Sequence, residues 1–467
     1  LKPRTVQYIL LIIGWLAATL LLGIKCVLYE IQEYEADLFS ILQLSRDYWF
    51  GKPFLFENAY GDNSAIHNYY LLPFLAPFTI TLGGKGLFAA AWLLWLWAWF
   101  LWAKILKHHP LSAGLGFFLI VFGPTAFYQW DNPHFGWHPE NYYYPLLMLF
   151  SAALLLKNNL VSLLAGLMIL LNREDGVILA SGLWMIYRWN DDSSFSENVQ
   201  RSLKTAFAAG LVFMSGMVLL QLRSGGKSRL GEAAERFRQN YTPQLLMNYL
   251  ADEFWLWSLL AGFLLIPIFF MLKRKNRLIP VGIFLFAVMA VNFVAASYYF
   301  PDTKYGMNWA PRLAGTYGIL CGILLIAFYQ NQQKSRGNIG MLFWGMAVFF
   351  IQLQALPGAE TDPYSFKKRL QKVAFRENEK LPDETELKQL KDWLAAIEHN
   401  EPVQTEEVLF SLADHADYVW PDTLRKPFRE PNTAILHRSR NVNAKKWSAA
   451  DSTEKFIRYV RKKKFED

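Results

Sequence analysis

The sequence predicts an all-α polytopic membrane domain of about eleven transmembrane helices over residues 1–356, joined to a small mixed α/β extracytoplasmic domain over residues 357–467. Three observations predict it. Hydrophobic residues make up 53% of the 467 and are gathered into long runs instead of alternating with polar ones. Lys and Arg collect in short loops between alternate runs, the bias expected of loops held on one side of a membrane. The runs stop at Leu356, after which the chain becomes charged.

The first run, Tyr8–Leu28, is interrupted only by Lys25. It lacks the short core and small-residue cleavage site of a secretory signal, so it reads as a retained helix. Further spans are expected at Leu87–Ile105, Leu111–Tyr128, Tyr144–Leu156, Leu160–Leu171, Val177–Ile186, Thr205–Leu222, Phe254–Met271, Leu278–Ala296, Leu313–Tyr329 and Met341–Leu356. His67–Gly83 is short and contains Pro73 and Pro77, so it reads as re-entrant or interfacial. The short spans around Lys157 and Arg173 would need protein or local water beside them, which suggests a polar cavity.

With a cytoplasmic N-terminus, Lys104, Lys107, Lys157, Arg188, Arg201, Lys204, the Lys273–Arg277 cluster, Lys334 and Arg336 all fall on the cytoplasmic side. The opposite side receives an outer first loop (residues 29–66), Asp131–Tyr144, Asn172–Gly176, Arg223–Asp252, Ser297–Arg312 and the tail. The net charge of +8 is explained by this orientation without nucleic acid. Cys26 and Cys321 both fall inside expected spans, so no disulfide framework is implied. In the tail, Glu386–His399 reads as an amphipathic helix with Leu387, Leu390, Trp393, Leu394 and Ile397 on one face, and Val408–Leu424 mixes strand and turn signals.

The groups able to do chemistry share the outer side. Asp37 lies on an expected amphipathic helix whose stripe is Leu38, Ile41, Leu42 and Leu44. Such a helix would lie along the membrane and present carboxylates to an outer cavity, or its acids would form a solvated face. Asp131, His134, His138 and Glu140 have the chemistry to bind a divalent cation, although their spacing matches no zinc motif. The alternative is that the histidines cap helices and hydrogen-bond a substrate. Arg173, Glu174 and Asp175 sit between two apolar segments, where Arg173 would grip a phosphate or close an internal ion pair. Lys304, Tyr305 and Arg312 would meet an anionic lipid headgroup or anchor the interface. Gly225–Ser228 lacks the first glycine of a phosphate loop, Gln221 standing in its place.

The segments ADLFSILQLSRDYWFGKPFLF, HNYYLLPFLAPF, FGWHPENYYYPLLMLFSAALL, LLNREDGVILASG and SYYFPDTKYGMNWAPRLAG together resemble the GT-C superfamily of integral-membrane glycosyltransferases, and more narrowly the DUF2079 membrane proteins. Asp37 matches the first acid of the family's DLGIFDQ-like segment, of which the second acid is missing here. His67 stands at its HFSP-like histidine, His138-Pro139-Glu140 at its FHP-like element, and Arg173-Glu174-Asp175 at its KED-like element, with Arg for Lys.

The resemblance implies a GT-C-like fold in the cytoplasmic (inner) membrane, with the tail in the periplasmic or outer space. It also implies transfer of a sugar from a polyprenyl-phosphate donor to a glycan, lipid or protein acceptor, with inversion. Asp37 is then the expected base. Arg173, Lys304 and Arg312 are phosphate candidates, and His67, His138, Glu140, Glu174, Asp175 and Tyr305 are substrate contacts. The alternatives are a noncatalytic membrane scaffold whose tail binds an envelope protein, and a transporter.

Overall fold

A computed structural model describes residues 1–34, 36–58, 61–62, 67–131, 137–189, 193–226, 229–244, 264–269, 281–282, 309–330, 337–355, 365–376, 382–398, 401–419, 429–440, 442 and 446–461. Most of the expected spans Phe254–Met271 and Leu278–Ala296 lie outside the described residues.

Among the described residues, three helices are long and apolar enough to cross a membrane: Pro3–Glu30, Lys85–Leu106 and Phe195–Arg223. The eleven expected crossings are therefore not confirmed, and at four of them the helices are short. Leu111–Val121, Tyr143–Leu155, Asn159–Asn172 and Gly176–Arg188 have 11 to 14 residues. At about 1.5 Å per residue they reach roughly 16–21 Å, short of a hydrocarbon core of about 30 Å. Trp309–Gln330 and Gly337–Ala355 complete the helical body.

The short helices find their surroundings in protein. Tyr143–Leu155 is apolar on every side, and all its residues are buried, as a helix without a polar face requires. It packs against Lys85–Leu106, Asn159–Asn172 and Trp309–Gln330. Leu111–Val121 and Gly337–Ala355 touch backbone to backbone: a Cβ on Gly116 would stand 2.1 Å from the Met341 carbonyl oxygen, and one on Gly345 would stand 2.4 Å from the Gly116 carbonyl oxygen. Small residues at such crossings let helices approach closely in lipid.

The expected span Leu111–Tyr128 is broken. Its helix ends at Val121, Pro124 removes an amide, and Ala126–Gln129 forms a separate turn. The freed backbone groups are met from another helix. Gln352 donates to the Ile120 carbonyl (3.0 Å), and its side-chain oxygen accepts from the Thr125 amide (3.3 Å). The Leu72–Leu82 stretch makes a 3-10 turn and a short helix Ala76–Leu82, too short to cross.

The described strands are β1 (Phe56–Glu57), β2 (Gly61–Asp62), β3 (Pro402–Thr405), β4 (Asp417–Val419), β5 (Thr433–His437), β6 (Trp447–Ser452) and β7 (Phe456–Arg461). β1 and β2 form a small antiparallel ribbon, and the tail forms a five-stranded sheet in the order β4-β3-β5-β7-β6. β3 pairs parallel with both β4 and β5, while β7 runs antiparallel to β5 and β6. Helix Glu384–Ala395 is tied to the sheet where Trp393 donates to Asp451 (3.1 Å), with Leu390, Trp393 and Leu394 buried, so the tail holds both helix and strand.

This tail packs on the segment that follows the first helix. Gln43 donates to the Tyr418 carbonyl (2.8 Å), Tyr418 donates to the Phe39 carbonyl (2.7 Å), and Arg46 donates to the carbonyls of Asp414 and Ala416. Lys52 bridges Asp47 and Asp417. Below them, Asp131 is buried between two cations, with Lys25 at 2.9 Å and Arg369 of the tail at 3.3 Å, and it accepts from Tyr34 at 2.6 Å. The lone charge of the first apolar run thus has its counter-charge.

Candidate functional site

Helix Ala36–Arg46 does not lie open along a membrane surface as expected. Leu38, Phe39, Ile41, Leu42 and Leu44 are buried, and so are Arg46 and Asp47. The reason is the tail: Phe39 meets the rings of Phe410 and Tyr418 edge-on, at 5.3 and 6.0 Å. Asp37 escapes this burial because it sits in the first turn, where a carboxylate also complements the helix dipole.

Three other chain segments bring acidic and basic side chains to Asp37. His138, just before the 3-10 turn Pro139–Tyr142, places Nε2 3.2 Å from Asp37 Oδ2 and Nδ1 3.8 Å from Glu140 Oε2. Arg173, in the turn between Asn159–Asn172 and Gly176–Arg188, donates to Glu140 through one terminal nitrogen and to Glu174 through Nε (3.2 Å). Glu174 in turn lies 3.0 Å from His67 Nδ1. The result is one chain of alternating acidic and basic side chains: Asp37, His138, Glu140, Arg173, Glu174, His67.

Backbone staples hold the segments in register. The Leu71 amide donates to the Leu171 carbonyl (2.8 Å), the Asn68 amide to Glu174 (3.3 Å), and Asn172 to the Pro139 carbonyl (2.8 Å). Asp175 accepts from the Tyr143 hydroxyl. Asn68, Asn172 and Tyr143 were not singled out from sequence, where an Asn beside a motif residue carries no distinguishing signal.

Burial grades the site. The Asp37 side chain is 32% exposed and that of Glu140 only 7%, so an incoming molecule meets Asp37 first. Burial opposes charge throughout the network, and pairing outweighs it at most positions. The hydrogen bond to Asp37 and the charge of Glu140 raise His138 above its ordinary value despite burial. Glu140 is lowered, burial being overcome by Arg173 and then His138. Glu174 is lowered against burial by His67 and Arg173. Asp175 goes the other way: burial dominates, Arg173 offsets it only partly, and Glu174 repels.

Of the two readings of Arg173, the internal pair is the one present, and the grouping of Asp131 changes. Arg173 is engaged by carboxylates on two sides, so it is the centre of an internal ion-pair chain. Asp131, grouped from sequence with His138 and Glu140 as a cation site, instead serves Lys25 and Arg369. Among the described residues no group of three His, Cys, Asp or Glu is placed to hold a metal ion. His134, Lys304 and Tyr305 lie outside the described residues, as does the Arg312 side chain, although its backbone belongs to helix Trp309–Gln330.

The site can present one carboxylate, Asp37, backed by the His138 imidazole and a fixed ion-pair array. It has the parts for proton abstraction from a hydroxyl. Compared with known families, curated proteins and solved structures, the chain matches none, so its residues alone carry the functional reading.

Proposed function

We propose that the chain is a membrane glycosyltransferase that moves a sugar from a polyprenyl-phosphate donor to an acceptor hydroxyl at the outer face of the membrane. The observation that carries the reading is the convergence of Asp37, His138, Glu140, Arg173, Glu174 and His67 from distant segments into one charged network with its most exposed carboxylate at the end. The donor class rests on the GT-C resemblance of the motifs that hold these residues.

In this reading Asp37 takes the acceptor proton, and the acceptor oxygen attacks the anomeric carbon. The bond to the lipid phosphate breaks, and the phosphate leaves with the electron pair. His138 positions Asp37, while Glu140 and Glu174 hold Arg173 and so the turn that carries it. The phosphate falls to Lys304 and Arg312, the other cations the sequence singles out. A requirement for a divalent cation is tested in the same assay, with and without chelator.

The test is transfer of labelled sugar from a panel of polyprenyl-phosphate sugars by the purified protein, wild type beside Asp37→Asn. The expected outcome is turnover in the wild type and a loss of about 10²-fold or more in the variant. Equal turnover in the two would remove Asp37 from the chemistry, and absence of transfer across the panel by well-folded protein would refute the enzyme. A noncatalytic scaffold is the second reading. It is favoured by the mutual pairing of Glu140, Arg173, Glu174 and His67, which satisfies their charges without a substrate.

A further inference from the structure

A cleft lies away from this network. It has a volume of about 680 Å³ and is bounded by helices Tyr143–Leu155, Asn159–Asn172 and Gly176–Arg188. Its walls are apolar, with Leu163, Leu167 and Trp184 exposed along it. Two cations stand in its lining: Lys157, in the turn before the second helix, and Arg188, the last residue of the third. These three helices form consecutive hairpins, so Lys157 and Arg188 lie at one end and the Arg173 turn at the other.

We propose that this cleft binds one anionic membrane lipid, with its phosphate between Lys157 and Arg188 and one acyl chain along the leucine wall. The arrangement of charge comes first. Both cations are exposed, neither is paired with a carboxylate among the described residues, and no acid lines the cleft. Arg188 stacks at 5.6 Å over Trp184, which orients its guanidinium while leaving its donors available. Asn159 and Ser162 add polar groups at the same end.

Length gives the second argument. From Asn159 to Leu170 the lining helix advances eleven residues, about 16 Å at 1.5 Å per residue. That is roughly half of a hydrocarbon core of about 30 Å, the depth of one leaflet. A cleft that begins at two cations and runs one leaflet deep matches an amphiphile with an anionic head. Depth comes from Gly166, where a Cβ would have only Phe150 near it, at 3.6 Å, so a larger side chain there would occupy the lipid's space.

The experiment is native mass spectrometry of the full chain in detergent, titrated with phosphatidylglycerol or with phosphatidylcholine of the same acyl chains. One phosphatidylglycerol is expected to be retained in preference to phosphatidylcholine. Lys157→Asn with Arg188→Gln removes both charges at exposed positions, and the asparagine suits the positive φ of Lys157; this pair should weaken phosphatidylglycerol by roughly thirtyfold and abolish the preference. Gly166→Leu should remove retention of both lipids with the cations intact. Equal retention of the two lipids by wild type would overturn the proposal, as would an unchanged preference in the charge variant. Displacement by inorganic phosphate at the lipid's own concentration would also overturn it, by making this an ion site and not a lipid site.

Discussion

Replacing Asp131 by Asn tests whether the tail is fastened to the helical body by charge. The substitution keeps the shape and leaves an oxygen for the Tyr34 hydroxyl, which donates at 2.6 Å in the native chain. What disappears is the negative charge shared by Lys25 at 2.9 Å and Arg369 at 3.3 Å, all three groups being almost fully buried. Removing one partner of a buried ion pair costs about 3–5 kcal/mol, because the other charge is left uncompensated. Arg369 cannot give up its proton and is left stranded, so about 4 kcal/mol applies, and docking of the Phe366–Phe375 helix should weaken by roughly three powers of ten. Amide exchange in residues 366–375 reads this directly, beside the thermal midpoint in detergent. A second arm adds Arg369→Gln to Asp131→Asn and should recover at least about 1 kcal/mol by removing one stranded charge. Acid provides an independent readout. Burial is outweighed by Arg369 and Lys25, so Asp131 is held below the ordinary carboxylate value; its contribution is present above pH about 4 and is lost as pH falls through the lower folded value. Unchanged exchange and midpoint in Asp131→Asn would refute the reasoning, since a buried triad of this kind has no solvent to take over the missing charge.

Other expected outcomes can be checked in the same preparations. His138 is raised in the folded chain, so its contribution to stability is complete below pH about 6.5 and is lost as pH rises through the folded value; His138→Gln should flatten the thermal midpoint between pH 5.5 and about 8.5. Arg173→Lys keeps the charge but not the fork that reaches Glu140 and Glu174, and a loss of about 1–3 kcal/mol is expected in thermal unfolding. Gly345→Ala drives a methyl into the Gly116 backbone and should cost about 1–3 kcal/mol, visible as a lowered midpoint.

The long helices were legible in the sequence because a run of some twenty apolar residues has few other uses. The place of the shorter ones was not: Tyr143–Leu155 carries the same composition as a span, and only its burial on every side separates it from a lipid-facing helix. Gly123-Pro124 did announce the break in Leu111–Tyr128, but a signal of two residues is easily absorbed into a long apolar run. The motif residues Asp37, His138, Glu140, Arg173, Glu174 and His67 were nameable one by one. Their order in the network was not, since Asp37 and His138 meet across 101 positions. Arg369 was invisible, because nothing in a basic amphipathic helix tells which cation will be taken into the protein. Lys25 was half legible: a lone charge in an apolar run demands a partner, without saying that Asp131 is the one.

Gln352 sets a schedule for the chain. The carbonyl of Ile120 and the amide of Thr125 receive it from helix Gly337–Ala355, and its nitrogen meets the Ile120 carbonyl across 232 positions of sequence. A ribosome adding about 5–20 residues per second takes roughly 10–50 s to cover that distance. Throughout this interval the broken end at Gly123-Pro124 has been made and its partner has not. Water, a lipid headgroup or the insertion machinery must hold those backbone groups until then, because hydrocarbon offers them nothing. A nascent chain arrested before Gln352 should therefore keep this break accessible to solvent, and release past Gln352 should seal it.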